Sequence, residues 1–386
     1  MSHKLLSYLG IALLIISTSQ CLSKCTPASP YNTVDVDLKW EEGASSIALN
    51  GLGIERAFGL TCHIPSENAT YFLNAVDGNV WEFTPDGEND LTCKSIASVE
   101  SFNLNSSFVF ASGSKEKQSL FFGSISGTTI DIYKLEDGTW NQVINAQDLS
   151  AFFPDATVNI NKFIAACTVE VQDQKKGCLI ISLVPNITPT KVQLGCLLFS
   201  ETDSFKVIDI DSIYNARTNP SAYLIGMVEV EKGKIFLGKG YGTAGDDRYD
   251  LLLLKEDDTL TVLSSDNPNP FTVKEVAHAS NTTRPTWSIF PLLLEGEFPI
   301  YKPTFTILHD KKRTIYRLDS KYMFQHMSLL SDPENKILDK PNLIIPFSNA
   351  LYLITNITTD DQNQTEETVA YKAKLARANN KPESKP

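Results

Sequence analysis

Histidine is rare in this chain of 386 residues: there are five, and His63, His278, His309 and His326 are those beyond the N-terminal segment. None stands beside a plausible nucleophile, which argues against acid–base catalysis built on imidazole. Cysteine never occurs as Cys-x-x-Cys and has no histidine at ligand spacing, so a structural zinc site is not expected. A D-x-D-x-D-G loop is missing as well. Asp209 with Asp211, and Asp246, Asp247 and Asp250, therefore read as solvated turns, and no metal or cofactor is expected. Basic charge is in deficit: 34 Lys and Arg face 46 Asp and Glu, for a net charge of −12. An acidic surface repels nucleic acid and anionic lipid, so neither is an expected partner. Helical periodicity is scarce, and no Gly/Ser or Pro run separates two halves.

What is present begins with Lys4, the apolar run Leu5 to Ile16, and small-residue cleavage sites at Ser19-Gln20-Cys21 or Cys21-Leu22-Ser23. This reads as a signal peptide over residues 1–23. The run is too short for a membrane anchor, which takes about 20 apolar residues, and no later stretch qualifies. A secreted, extracellular chain is expected. Six N-glycosylation sequons agree with it, at Asn68, Asn105, Asn186, Asn281, Asn356 and Asn363. Cleavage leaves Cys25, Cys62, Cys93, Cys167, Cys178 and Cys196, an even set suited to an oxidising compartment. The spacing suggests Cys62 with Cys93 and Cys167 with Cys178; Cys25 with Cys196 follows by elimination.

Aromatic and branched triplets recur along the chain: Tyr71-Phe72-Leu73, Leu120-Phe121-Phe122, Phe163-Ile164-Ala165, Tyr223-Leu224-Ile225, Phe305-Thr306-Ile307 and Leu351-Tyr352-Leu353. Such residues fit a half-buried pleated surface. Acidic turns close several units: Pro85-Asp86-Gly87, Glu136-Asp137-Gly138, Glu256-Asp257-Asp258 and Leu318-Asp319-Ser320. From Asp86 to Asp137 is 51 residues (137 − 86), and from Asp257 to Asp319 is 62 (319 − 257). Blades of about 40–50 residues with enlarged loops account for both intervals. The fold expected is all-β, a single six-bladed β-propeller. Ser265 to Pro303 fits no single unit and leaves seven open, and two β-sandwiches are the rival architecture. Val34 to Trp40 alternates without a local partner, so it is expected to close the last blade. The domain is placed at residues 24–375, with a disordered, locally basic tail at 376–386.

Motifs for catalysis fail on reading. Gly123-Ser124-Ile125-Ser126-Gly127 has isoleucine where a hydrolase needs its nucleophile, and a β-branched strand follows it. Gly238 to Gly245 is glycine-rich, yet no helix-opening Lys-Ser/Thr follows to cradle phosphate. Asp137-Gly138-Thr139-Trp140 resembles the S-x-D-x-G-x-T-W turn of sialidase-type propellers, but the spacing departs and no second copy exists, so no residue is carried over. The Gly-rich segment is read as a recognition loop, with Lys239, Tyr241, Asp246, Asp247 and Arg248 as candidate ligand contacts. Enlarged loops at Val171 to Lys176 and Thr358 to Glu367 are expected to share its face. The function expected is a non-catalytic extracellular binder of a protein, glycan or small molecule. The alternatives are an extracellular hydrolase with central carboxylates, calcium-assisted or not, and a matrix component without a pocket.

Overall fold

Neighbouring residues of a strand point to opposite faces, so a run such as Leu179-Ile180-Ile181 is buried throughout only where a sheet is covered on both sides. The computed structural model shows that arrangement. It describes residues 36–41, 59–74, 77–86, 90–99, 106–158, 164–186, 193–202, 204–210, 223–240, 248–268, 287–292, 302–307, 314–318, 324–327, 329–330, 343–347, 351–360 and 365–377. Among these residues there are strands and two single 3₁₀ turns, and no helix is long and apolar enough to cross a membrane.

After β1 (Val36–Glu41), strands come in fours. Unit one is β2 (Gly59–Ile64), β3 (Ala69–Asn74), β4 (Asn79–Asp86) and β5 (Asp90–Ser98). Unit two is β6 (Ser107–Ser114), β7 (Gln118–Ser126), β8 (Thr129–Glu136) and β9 (Thr139–Asp148). The short β10 (Ala156–Val158) precedes unit three, which is β11 (Ile164–Val171), β12 (Gln174–Pro185), β13 (Gln193–Ser200) and β14 (Ser204–Ile210). Unit four is β15 (Tyr223–Glu231), β16 (Lys234–Gly240), β17 (Arg248–Leu254) and β18 (Thr259–Pro268). Unit five is β19 (Trp287–Leu292), β20 (Lys302–Ile307), β21 (Thr314–Leu318) and β22 (Phe324–Met327), followed by β23 (Leu329–Leu330). Unit six is β24 (Leu343–Pro346), β25 (Leu351–Asp360) and β26 (Thr365–Arg377), completed from the other end of the chain by β1.

This is a six-unit β-propeller. Within each unit consecutive strands pair antiparallel, and the first strands neighbour one another in series from β2 through β6, β11, β15 and β19 to β24. Each pair of adjacent units shares a core wherever both are described. Cys62, Ile64, Tyr71 and Leu73 of unit one meet Val109, Leu120 and Phe122 of unit two. Phe110, Phe121 and Ile132 of unit two meet Leu179, Ile181 and Leu197 of unit three. Cys178, Ile180 and Leu198 of unit three meet Ile235, Leu237 and Leu252 of unit four. Phe72, Trp81 and Phe83 of unit one also pack with Ile345, Phe347, Tyr352 and Ile354 of unit six, which brings the ring back to its start.

Closure by the N-terminal strand is seen in the register. Val36 pairs with Arg377, Leu38 with Leu375 and Glu41 with Lys372, while the other edge of β1 runs parallel to β23 through Leu38–Leu329 and Lys39–Leu330. The basic stretch from Lys372 onward is thus strand as far as Arg377, two residues beyond the expected domain boundary, rather than a frayed end. The triplet ladder is also one strand out of phase. Tyr71, Leu120, Phe305 and Leu351 lie in second strands, whereas the Phe163-Ile164-Ala165 and Tyr223-Leu224-Ile225 triplets mark first strands. The acidic turns are consistent: Asp86, Asp137, Asp257 and Asp319 all end third strands or lie between third and fourth strands.

Candidate functional site

Antiparallel order divides the connections between two faces. Turns joining strands one to two and three to four emerge on one face; those joining two to three, and each unit to the next, emerge on the other. The first face is built mostly of tight turns. Asp137 and Gly138 take φ of 50° and 74°, and Gln172 and Asp173 take 51° and 59°, the left-handed pair of a two-residue hairpin. Val171 to Lys176 is therefore no enlarged loop. Val171 pairs with Gln174, and the turn sits on the face opposite the Gly-rich segment.

On the second face the connections between strands two and three are long in three adjacent units, whereas on the first face the long one is 293–301, between β19 and β20. Residues 186–192 leave from β12, 241–247 from β16 and 308–313 from β20, so they spring from three adjacent units. In unit two the equivalent turn is only Gly127-Thr128, and in unit six it is 361–364. Of the candidate ligand contacts, Lys239 and Arg248 are brought directly opposite each other at the head of the β16–β17 ladder. Tyr241, Asp246 and Asp247 lie outside the described residues. Gly123 to Gly127 resolves as the end of β7 and its turn, with Ile125 buried in the core shared with unit three.

The tight-turn face holds a charged cluster that sequence reading missed. Glu229 Oε1 accepts the backbone N–H of Glu170 at 2.7 Å and that of Gly233 at 2.9 Å. Lys175 lies 3.0 Å from Glu170 Oε2 and 3.6 Å from Glu229 Oε2. Lys232 reaches Glu170 Oε1 at 3.7 Å and Asp173 at 2.9 Å. Burial holds the Glu229 carboxyl above its ordinary range, while the hydrogen bond from Lys175 holds that of Glu170 below it. Gly233 has φ of 72°, and a Cβ there would stand 2.6 Å from the Leu254 carbonyl, so the turn depends on glycine. Glu229 spends Oε1 on two amides and Oε2 on lysine. The cluster clamps unit three to unit four. A repeat signals it: Val169-Glu170-Val171 and Val228-Glu229-Val230 lie at the ends of the first strands of these units. Among the described residues no group of three or more His, Cys, Asp or Glu side chains could hold a metal ion.

No protein-family model matches the chain, and no curated protein is similar to it in sequence. Solved structures that share its course include a luciferin-regenerating enzyme, at 11% identity and a TM-score of 0.43, covering 84% of this chain and 94% of that one. Trypanosoma rangeli sialidase in complex with sialic acid matches at 9% identity and 0.45, over 83% of this chain and 54% of that one. The N-terminal domain of Nup159 matches at 9% identity and 0.37, over 89% and 97%. At such scores the likeness carries no argument about function.

Among the described cysteines, Cys62, Cys93, Cys167, Cys178 and Cys196, no two sulfurs stand at bonding distance; Cys25, and with it the expected Cys25–Cys196 pairing, lies outside the described residues. Cys62 and Cys93 occupy the first and fourth strands of unit one, with two strands between them. Strands about 4.8 Å apart put them about 14 Å from each other, beyond the ~7 Å limit for a bridge. They also face different cores, Cys62 towards unit two and Cys93 towards unit six, and burial pushes each thiol up to about 12. Cys167 does lie directly across from Cys178, both as thiols. Asn68 and Asn186 are exposed at strand ends, and Asn356 sits within β25, paired with Thr368. Asn105, Asn281 and Asn363, and the signal segment, lie outside the described residues.

His63, in β2, sits at the seam between units one and six. Its Nδ1 lies 3.0 Å from Thr70 Oγ1, and its ring meets Phe347 edge-on at 5.9 Å. Burial lowers it to about 4. The unfolded chain takes up this proton near pH 6.5 and the folded protein only near 4, so folding weakens as pH falls through that window. The expected loss is about 3 kcal/mol between those limits, with the full contribution retained above pH 6.5. Urea titrations from pH 7 to pH 4 test this. His63→Gln should flatten the profile by that amount, and an unchanged slope would assign the acid sensitivity elsewhere.

Proposed function

We propose that the protein is a secreted, glycosylated propeller that binds an extracellular protein, glycan or small molecule without turning it over. The observation that carries this reading is the inequality of the two faces. Tight turns finish most of one face, 293–301 of unit five excepted, while on the other face connections 186–192, 241–247 and 308–313 link strands two and three of three adjacent units. Loops held on a rigid framework are where recognition concentrates. The recognition edge includes Lys239 and Arg248, whose backbones are locked in register beneath residues 241–247. Tyr241, Asp246 and Asp247 belong to the segment they carry. Export is supported by the apolar N-terminal segment and by the exposure of the sequon asparagines Asn68 and Asn186.

Replacing residues 241–247 with Asn-Gly, which suits a two-residue hairpin, tests the reading. Gly238 to Gly240 must stay, because they belong to β16. Against immobilised glycans and extracellular proteins that retain the intact chain, the variant should bind at least about tenfold more weakly, or about 1.4 kcal/mol, with melting temperature nearly unchanged. Undiminished binding overturns the site. Turnover of a glycoside or ester substrate by the purified protein overturns the non-catalytic reading.

A further inference from the structure

Three thiols meet in the core between units three and four. Cys178 lies in the middle strand, with Cys167 directly across from it on β11 and Cys196 on β13. All three are buried in the same apolar cluster, so their side chains share one face of the sheet. Register favours Cys167, the direct neighbour of Cys178, since Cys196 pairs with Ile180 and is therefore only diagonal to Cys178. The sulfurs tell otherwise. Cys178 Sγ lies 3.7 Å from Cys196 Sγ, in van der Waals contact, with the two side chains turned towards each other across the diagonal.

From this geometry we infer that Cys178 and Cys196 form a disulfide that staples β12 to β13, leaving Cys167 as a thiol. A bond of about 2.05 Å requires the sulfurs to close by less than a sulfur radius. Diagonal neighbours start about 7–8 Å apart, at the limit for a bridge, so the closure takes side-chain torsions and a local shift of the β12 and β13 backbones along each other. The oxidant is a small disulfide such as glutathione disulfide, or an enzyme that presents one. One cysteine thiolate attacks it and releases the first thiol. The second cysteine then attacks the mixed disulfide and releases the other. Two protons leave the cysteines, two electrons pass to the oxidant, and one sulfur–sulfur bond replaces another.

Timing follows from burial. The contact with Cys196 and, after it, desolvation hold the Cys178 thiol well above its ordinary range, so the folded protein offers almost no thiolate there. Exchange belongs to folding, before units three and four close over the pair. Formation inside the cell rests on the export proposed above; the geometry of the pair does not.

The test is peptide mapping of the full chain. Protein is refolded from denaturant with a glutathione redox couple, alkylated at low pH, digested without reduction and read by mass. A Cys178–Cys196 cross-link two hydrogens lighter than the separate peptides, with Cys167 alkylated, is the expected result. A Cys167–Cys178 cross-link overturns the assignment, as do three alkylated thiols. Because the bond is made in vitro, failure of export cannot mimic failure of the site. Protein that stays reduced inside cells but links Cys178 to Cys196 on refolding retains the staple and loses the secreted reading. As a check that does not depend on mapping, reduction should lower the melting temperature of the intact protein and of Cys167→Ala alike. It should leave that of Cys196→Ala unmoved; a drop in that variant comparable to the intact protein's counts against the pair.

Discussion

A chain lacking residues 36–41 is expected to lose most of its stability and to aggregate. The six residues of β1 pair along their whole length with β26, from Val36–Arg377 to Glu41–Lys372. At a net ~0.5–1.5 kcal/mol for each backbone hydrogen bond, such a ladder contributes about 3–9 kcal/mol. That is of the order of the entire stability of a folded domain. The loss reaches beyond unit six, because β1 also holds β23, which follows unit five. Without it, residues 372–377 of β26 lose their partner and the outer edge of that strand is unpaired by β1 along its whole length, the kind of surface that templates association. A second latch works against this outcome. Phe72, Trp81 and Phe83 still pack on Ile345, Phe347, Tyr352 and Ile354, so apolar contact alone favours a closed ring. Denaturant unfolding with light scattering separates the two latches. A truncated chain that unfolds at the intact protein's midpoint and stays monomeric would show that this seam suffices and that β1 is an accessory. Recovery on adding a peptide spanning residues 34–42 would confirm that the missing strand itself is what was lost.

This latch was legible because its signal is local: an alternating segment at one end with no partner, and a unit short of a strand at the other. The unit count was also legible, since acidic turns after third strands recur at consistent places in the structure. Phase was not. In units three and four the first strands carry aromatic or branched triplets as dense as the second strands elsewhere, and a pattern of strands does not say which one lies nearest the axis. The same uncertainty put Val171 to Lys176 on the wrong face. Gln172 and Asp173 have polar, loop-like side chains, yet their positive φ angles make the shortest of turns. Disulfide partners were misread for a related reason. Spacing brings Cys62 and Cys93 together in sequence, but two intervening strands hold them apart, whereas the contact of Cys178 with Cys196 depends on a diagonal that register cannot foretell. The Glu229 clamp had a signal in the repeated Val-Glu-Val, which gains meaning only once the two copies are known to end neighbouring strands.

The core between units two and three makes the sharpest demand on packing, and Phe110→Ala is expected to cost about 3–5 kcal/mol. Phe110 is wholly buried. Its ring stacks on Phe121 at 5.4 Å and 6°, lies near-parallel to Phe108 at 6.1 Å, and takes Phe199 of unit three edge-on at 5.3 Å. Room for the ring comes from the neighbouring unit. At Gly177 in β12 a Cβ would stand 2.5 Å from the Phe110 ring, so the glycine is a socket for an aromatic from the unit before. Gly177→Ala should therefore destabilise too, by about 1–3 kcal/mol, through overpacking. The two losses have opposite causes, a void and a clash, and they occupy the same space. Combined, they should not add: the alanine methyl at position 177 points into the cavity left by Phe110→Ala and has nothing to strike. The double variant is expected to be at least as stable as Phe110→Ala alone, giving a coupling of about 1–3 kcal/mol in a double-mutant cycle. Additive losses would mean that Gly177 is needed for its backbone alone, and that the fit between units two and three is looser than the ring distances show.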